Sequence, residues 1–123
     1  MMTIKIAIAT EDQRSITNHF GRAPQFRIIT VEGAQITGDE VREKPYHAQH
    51  EPHHPGGDHL HGEMFAPIAD CQVLLCGGMG TPAYEKAQAA GLEVILTGGD
   101  IEAAVQAYLS GALTSDLRRI HHH

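Results

Sequence analysis

Residues 72–96, QVLLCGGMGTPAYEKAQAAGLEVIL, decide the fold. Gln72 to Cys76 is a short, continuous apolar run, the pattern of a strand covered on both faces. Gly77-Gly78-Met79-Gly80 breaks it, and Thr81-Pro82 supplies a helix start, because proline is tolerated in the first turn where no donor is needed. The helix runs from Pro82 to about Ala90 and stops at Gly91, and Leu92 to Leu96 is the next buried strand. Strand, loop, helix and strand in this order predict an α/β protein.

Upstream, TIKIAIAT at 3–10 places Ile4, Ile6 and Ile8 on one face and the small Ala7 and Ala9 on the other, as a central strand does. Glu11 to Gln25 is polar and without a period, and a loop of that length tends to be functional. Phe26 to Val31 and Ala34 to Val41 read as two strands joined around Glu32-Gly33, with Thr37-Gly38-Asp39 marking a bend or bulge and polar residues marking a sheet edge. Leu60 to Ala69 reads as a short helix that Pro67 would kink or end. Gly98-Gly99-Asp100 introduces the last helix, whose Ile101, Ala104, Val105, Tyr108 and Leu109 fall on one face, with Asp100 capping its start and Gly111 its end. The order β-β-β-α-β-α-β-α gives a mixed sheet of about five strands with helices on its faces.

At 123 residues the chain is large enough for one core and too short for two. Its apolar share of 41% includes no run long enough to span a bilayer, and Met1 to Thr10 lacks the basic region and cleavage site of a signal peptide, which points to the cytoplasm. A formal charge of −6 argues against nucleic acid, because Arg118-Arg119 is the one adjacent basic pair. Cys71 and Cys76 sit at opposite ends of the same strand, about 16 Å apart, too far for a disulfide. Reduced thiols fit either packing or soft-metal ligation.

The strand IAIAT, the loop HFGRAP at 19–24, the turn CGGMG at 76–80 and the ending GGDIEAAVQAYLSGAL resemble the dinitrogenase iron-molybdenum cofactor biosynthesis family, the NifX-like domain also found at the C-terminus of NifB. The resemblance covers nearly the whole chain, so residues 1–120 read as one cluster-binding domain. It implies a three-layer α/β fold of ribonuclease-H-like topology, helices on both faces, and a non-catalytic carrier of an iron-sulphur or iron-molybdenum type cluster or its precursor. Cluster donor and acceptor proteins would be its partners, and the chain would act as a monomer or homodimer away from membranes. The family associates the histidine of its HFG motif with cluster binding, which falls on His19. Nitrogenase-dedicated members often carry a cysteine just after that glycine. Arg22 and Ala23 stand there instead, so the nitrogenase cofactor itself is not singled out.

The expected cluster-binding set is His19, Phe20, Gly21, Cys76, Gly77, Gly78, Met79 and Gly80. His19 either ligates metal or pins its loop by hydrogen bonding. Phe20 would anchor that loop, and Gly21 would admit a bulky ligand. Cys76 ends a strand where α/β proteins build ligand crevices, and the glycines after it expose main-chain donors that favour anions. Cys76 can equally be a small buried hydrophobe, Cys71 belongs to the core, and Met79 packs or offers a thioether. No Lys-Ser or Lys-Thr pair follows the glycines, which excludes a nucleotide loop.

Residues 43–61 form a histidine-rich stretch with His47, His50, His53, His54, His59 and His61, a set able to bind zinc, nickel or cobalt without strong selectivity. A divalent-metal binder or sensor is therefore the alternative function. A metal-dependent nuclease would have to use Glu11, Asp12, Asp70 or Asp100, of which Asp100 reads as a helix cap and Asp70 as a residue before a strand. His121 to His123 read as the remnant of a purification tag.

Overall fold

The computed structural model describes residues 3–43 and 65–121. Five strands form one mixed sheet: β1 (Thr3–Thr10), β3 (Gln25–Glu32), β4 (Gln35–Glu43), β5 (Val73–Cys76) and β7 (Glu93–Leu96), in the order β4-β3-β1-β5-β7. The expected central strand is β1, antiparallel to β3 from Thr3↔Glu32 to Thr10↔Gln25 and parallel to β5 through Ile6↔Val73. Between β5 and β7 the pairing is again parallel. β4 is the exposed edge, and its register shifts between Thr30 and Val31, which pair with Gly38 and Ile36. Thr37 is thus the extra residue of a bulge. A Cβ on Gly38 would lie 3.1 Å from the Thr30 side chain, so the glycine suits the crowded cross-strand position.

Two helices cover the two faces. Helix α1 (Thr81–Ala89) has proline in its first turn and ends before Gly91, whose φ of +91° is one that side chains resist. Ala87, Ala83 and Tyr84 bring it to the face made by Ala7, Ala9, Phe26, Ile28, Leu74 and Cys76. Helix α2 (Ile101–Leu109) starts where the Asp100 carboxylate accepts the Ala103 N–H at 2.9 Å, and Gly111 beyond its end has φ +78°. Its Ile101, Ala104 and Val105 bury against Ile6, Ile8, Ile29, Val73, Leu75 and Ile95 on the other face. The result is helix, sheet, helix. The alternation of β1 is what separates the two cores, because its isoleucines face one and its alanines the other.

Two expectations change. Within 60–69 the described part is a single 3-10 turn, Ala66–Ile68, rather than an α-helix; Pro67 sits inside that turn and lacks the donor a longer helix needs, and residues 60–64 lie outside the described residues. The stretch 11–25 is not wholly a loop. It contains the two-residue strand β2 (Ser15–Ile16) and a 3-10 turn, Phe20–Arg22. β2 pairs with β8 (Gly99–Asp100), and β6 (Met79–Gly80) pairs with β9 (Ile120–His121). The backbone of His121 thus continues the chain's pairing, while His122 and His123 lie outside the described residues. No helix among the described residues is long and apolar enough to cross a membrane.

Candidate functional site

Because β1, β5 and β7 run parallel, their C-terminal ends share one edge of the sheet, and the segments 11–24, 77–80 and 97–100 converge there. Main-chain hydrogen bonds stitch them. Thr17 N donates to Ala9 O at 3.0 Å, Gly77 N to Thr17 O at 2.7 Å, Phe20 N to Gly78 O at 2.9 Å, and Thr97 N to Cys76 O at 2.9 Å. The loop HFGRAP and the turn GGMG, 53 residues apart at their nearest in the sequence, are thereby held against each other. Gly77 is indispensable to this approach, since a Cβ there would stand 2.6 Å from both Thr17 O and Asn18 Oδ1.

Side chains near the loop stiffen it further. Asp12 accepts the N–H groups of Ser15 at 2.8 Å and Arg14 at 2.9 Å, and these bonds, Ser15 first, bring its carboxyl down to about 2. Thr17 Oγ1 donates to Glu11 at 2.8 Å and accepts the His19 N–H at 3.2 Å. Phe20 is buried, its ring stacked on Phe65 at a centroid distance of 5.6 Å and tilted against Phe26 at 6.0 Å. It anchors the loop, as the sequence led us to expect.

His19 is exposed beside this anchor, and so is Gly21, where a Cβ would meet nothing within 4 Å. Cys76 is different. It has no exposure, belongs to the α1-side core, and its thiol donates to Gly78 O at 3.0 Å, so it shapes the turn from beneath. Met79, at 2% exposure, also packs in that core. Cys71 is core too, and burial followed by the nearby Asp70 charge pushes its thiol up to about 12. Gly77 and Gly78 are buried in the turn, and Gly80 is the N-cap of α1, with no side chain capping that helix start.

His47, His50, His53, His54, His59 and His61 lie outside the described residues. The positions bracketing them are informative. Glu43 pairs with Gln25, next to Pro24, and Phe65 stacks on Phe20. Both therefore flank the loop His19–Pro24.

A residue not anticipated at the site is Arg119. Its Nη1 donates to Gly77 O at 3.1 Å, and the segment carrying it is tied to the same edge by Asp116 N to Leu96 O and Leu96 N to Ser115 Oγ, each 2.9 Å. The sequence offered one signal, the adjacent arginine pair. Among the described residues no group of three or more His, Cys, Asp or Glu side chains is placed to hold a metal ion. Clefts elsewhere among the described residues include one of about 200 Å³ between α2 and the β3–β4 hairpin, lined by Ile29, Ile36, Ile101 and Val105, and a polar one beside it around Arg14, Arg27 and Glu102.

Comparisons with known proteins bear on the family and the fold. The family description Dinitrogenase iron-molybdenum cofactor matches residues 2–111. Among solved structures, PH0822 is 27% identical with a TM-score of 0.69, covering 92% of this chain and 96% of that one. The apo form of the orange protein from Desulfovibrio gigas is 27% identical with a TM-score of 0.68, covering 91% and 92%. A candidate dinitrogenase from Methanocaldococcus jannaschii, 15% identical over 94% of this chain and 97% of that one with a TM-score of 0.68, shares the fold. No curated protein sequence matches.

Proposed function

Since the chain belongs to the dinitrogenase iron-molybdenum cofactor family, we propose that it is a non-catalytic carrier that holds an anionic metal-sulphur unit, of iron-sulphur or iron-molybdenum type, and passes it between donor and acceptor proteins in the cytoplasm. The observation that carries this reading is the docking of the HFGRAP loop on the GGMG turn at the C-terminal ends of three parallel strands. His19 is the side chain we assign as ligand. Phe20 fixes its loop, Gly21 leaves the approach open, and the turn Gly77–Gly80 is the backbone ledge against which that loop is held. Cys76 and Met79 act by building the turn. The strand order, with an antiparallel hairpin on one side of β1 and parallel strands on the other, supports a ribonuclease-H-like topology.

The carboxylates a nuclease would use are engaged otherwise. Asp100 caps α2, Asp70 pairs with Arg42 and Lys5, Asp12 closes a turn, and Glu11 accepts from Thr17.

The test is an anaerobic titration with iron, sulphide and molybdate, following metal content and visible absorption. His121, His122 and His123 are replaced by alanine, which keeps the main-chain pairing of residue 121. A sulphide-dependent chromophore that disappears in His19→Ala is the expected result. Stoichiometric zinc or nickel binding that needs neither sulphide nor His19 would instead assign the metal chemistry to His47–His61 and end the carrier reading.

A further inference from the structure

We propose that Arg119 is the cationic partner of the bound metal-sulphur anion, so that the C-terminal segment beyond the family match completes the site. The inference rests on the carrier reading and names a group that reading does not supply.

The geometry comes from three directions. First, the segment is docked on the site's edge: β9 pairs with β6 through Met79↔Ile120, and Asp116 N donates to Leu96 O. Second, the guanidinium lies across the turn and the neighbouring loop. Nη1 reaches Gly77 O at 3.1 Å, and a Cβ on Gly98 would stand 3.3 Å from Nη1 and 3.4 Å from Nη2, so glycine at 98 leaves the room the guanidinium occupies. Third, its hydrogen-bonding capacity is largely unspent. Nε is buried with no hydrogen-bond partner, and the nearest carboxylate oxygen, Asp116 Oδ2, is 3.9 Å away. Asp116 is taken instead by Arg118, whose Nε and Nη2 donate to it at 2.9 and 3.2 Å.

With Asp116 it forms a long ion pair without a hydrogen bond. Among the described residues the five-donor fork is hydrogen-bonded to one carbonyl, and the side chain is 37% exposed beside the glycine turn. His19 and Arg119 bracket the turn, because Phe20 N bonds Gly78 O while Arg119 bonds Gly77 O. The imidazole can ligate metal while the guanidinium neutralises sulphide charge, which matters in a chain of net charge −6.

The iron, sulphide and molybdate titration is repeated on the full chain with Arg119→Ala, Arg119→Lys and Arg118→Ala, at two salt concentrations, together with thermal unfolding of each unloaded protein. Arg119→Ala should weaken chromophore formation at least about tenfold, as loss of a charge-assisted contact does. Arg119→Lys should recover part of that, Arg118→Ala, which frees Asp116 to pair with Arg119, should fall between wild type and Arg119→Ala, and only Arg119→Ala should lose salt sensitivity. Wild-type binding by Arg119→Ala overturns the inference and leaves the carrier reading standing. Equal weakening in alanine and lysine variants, in step with thermal stability and with unchanged salt dependence, makes Arg119 a clamp and also overturns it. If the wild type forms no chromophore, both readings fall.

Discussion

The two ends of β5 are held by different chemistry. At its N-terminal end long charged side chains reinforce the main-chain bonds of Gln72: Asp70 takes Lys5 Nζ at 2.9 Å and Arg42 Nη1 at 2.7 Å, and the same Arg42 nitrogen donates to Pro67 O at 2.6 Å. At its C-terminal end main-chain bonds through Gly77, Gly78, Thr17 and Phe20 dominate, with Cys76 and Arg119 adding one side-chain bond each to the turn carbonyls. Exposed side-chain pairs tolerate substitution, since other rotamers and water can replace them. Main-chain contact between glycine and carbonyl does not, because a single Cβ forces the backbones apart. One cysteine stands at each end, and both are buried, so neither end advertises a thiol at the surface.

Breaking the C-terminal end should therefore cost most. Phe20→Ala removes a ring buried between Phe65 and Phe26 and should lower stability by about 3–5 kcal/mol, read from the denaturant midpoint. A loss below about 1 kcal/mol would mean that this ring does not anchor the loop. Next comes Gly77→Ala, whose Cβ meets Thr17 O and Asn18 at 2.6 Å and should cost about 1–3 kcal/mol, together with loss of the sulphide-dependent chromophore. Its control is Gly21→Ala on the same ledge, where the new Cβ meets nothing and stability should hold within about 0.5 kcal/mol. Equal behaviour of the two alanine variants would erase the distinction between a glycine required by packing and one required only by approach.

What could be read beforehand follows from the range of the forces involved. β1, β7 and α2 carry their own periods in TIKIAIAT, GLEVIL and DIEAAVQAYL, and the bulge at Gly38 shows as a glycine amid alternation. Strand β2 carries no period, because two residues pair only when Gly99 and Asp100 arrive from the far end of the chain. The orientation of Cys76 and Met79 was hidden for another reason. A strand buried on both faces gives no polar side to tell which residues point toward a ligand. Arg119 depends on a contact 42 residues away, visible in the sequence only as half of a basic pair. The burial of Phe20 was legible, since an apolar residue inside a polar loop has few roles besides anchoring it.

The smallest effect belongs to the N-terminal end and sharpens the contrast. The Arg42 hydrogen bond, then that of Lys5, holds the Asp70 carboxyl well below the usual carboxylate range. A depressed folded-state value means that Asp70 contributes stability above its unfolded value near 3.9 and loses it as the pH falls through the folded value. Asp70→Asn should thus cost under about 1 kcal/mol at neutral pH, because the carboxylate is 47% exposed and its pairs are screened. The gap in melting temperature between wild type and variant should narrow steadily below pH 4 and shrink further in high salt. A gap that stays constant from pH 7 to pH 2 would show that Asp70 acts by shape and not by charge. The N-terminal end would then depend on fit, as the C-terminal end does.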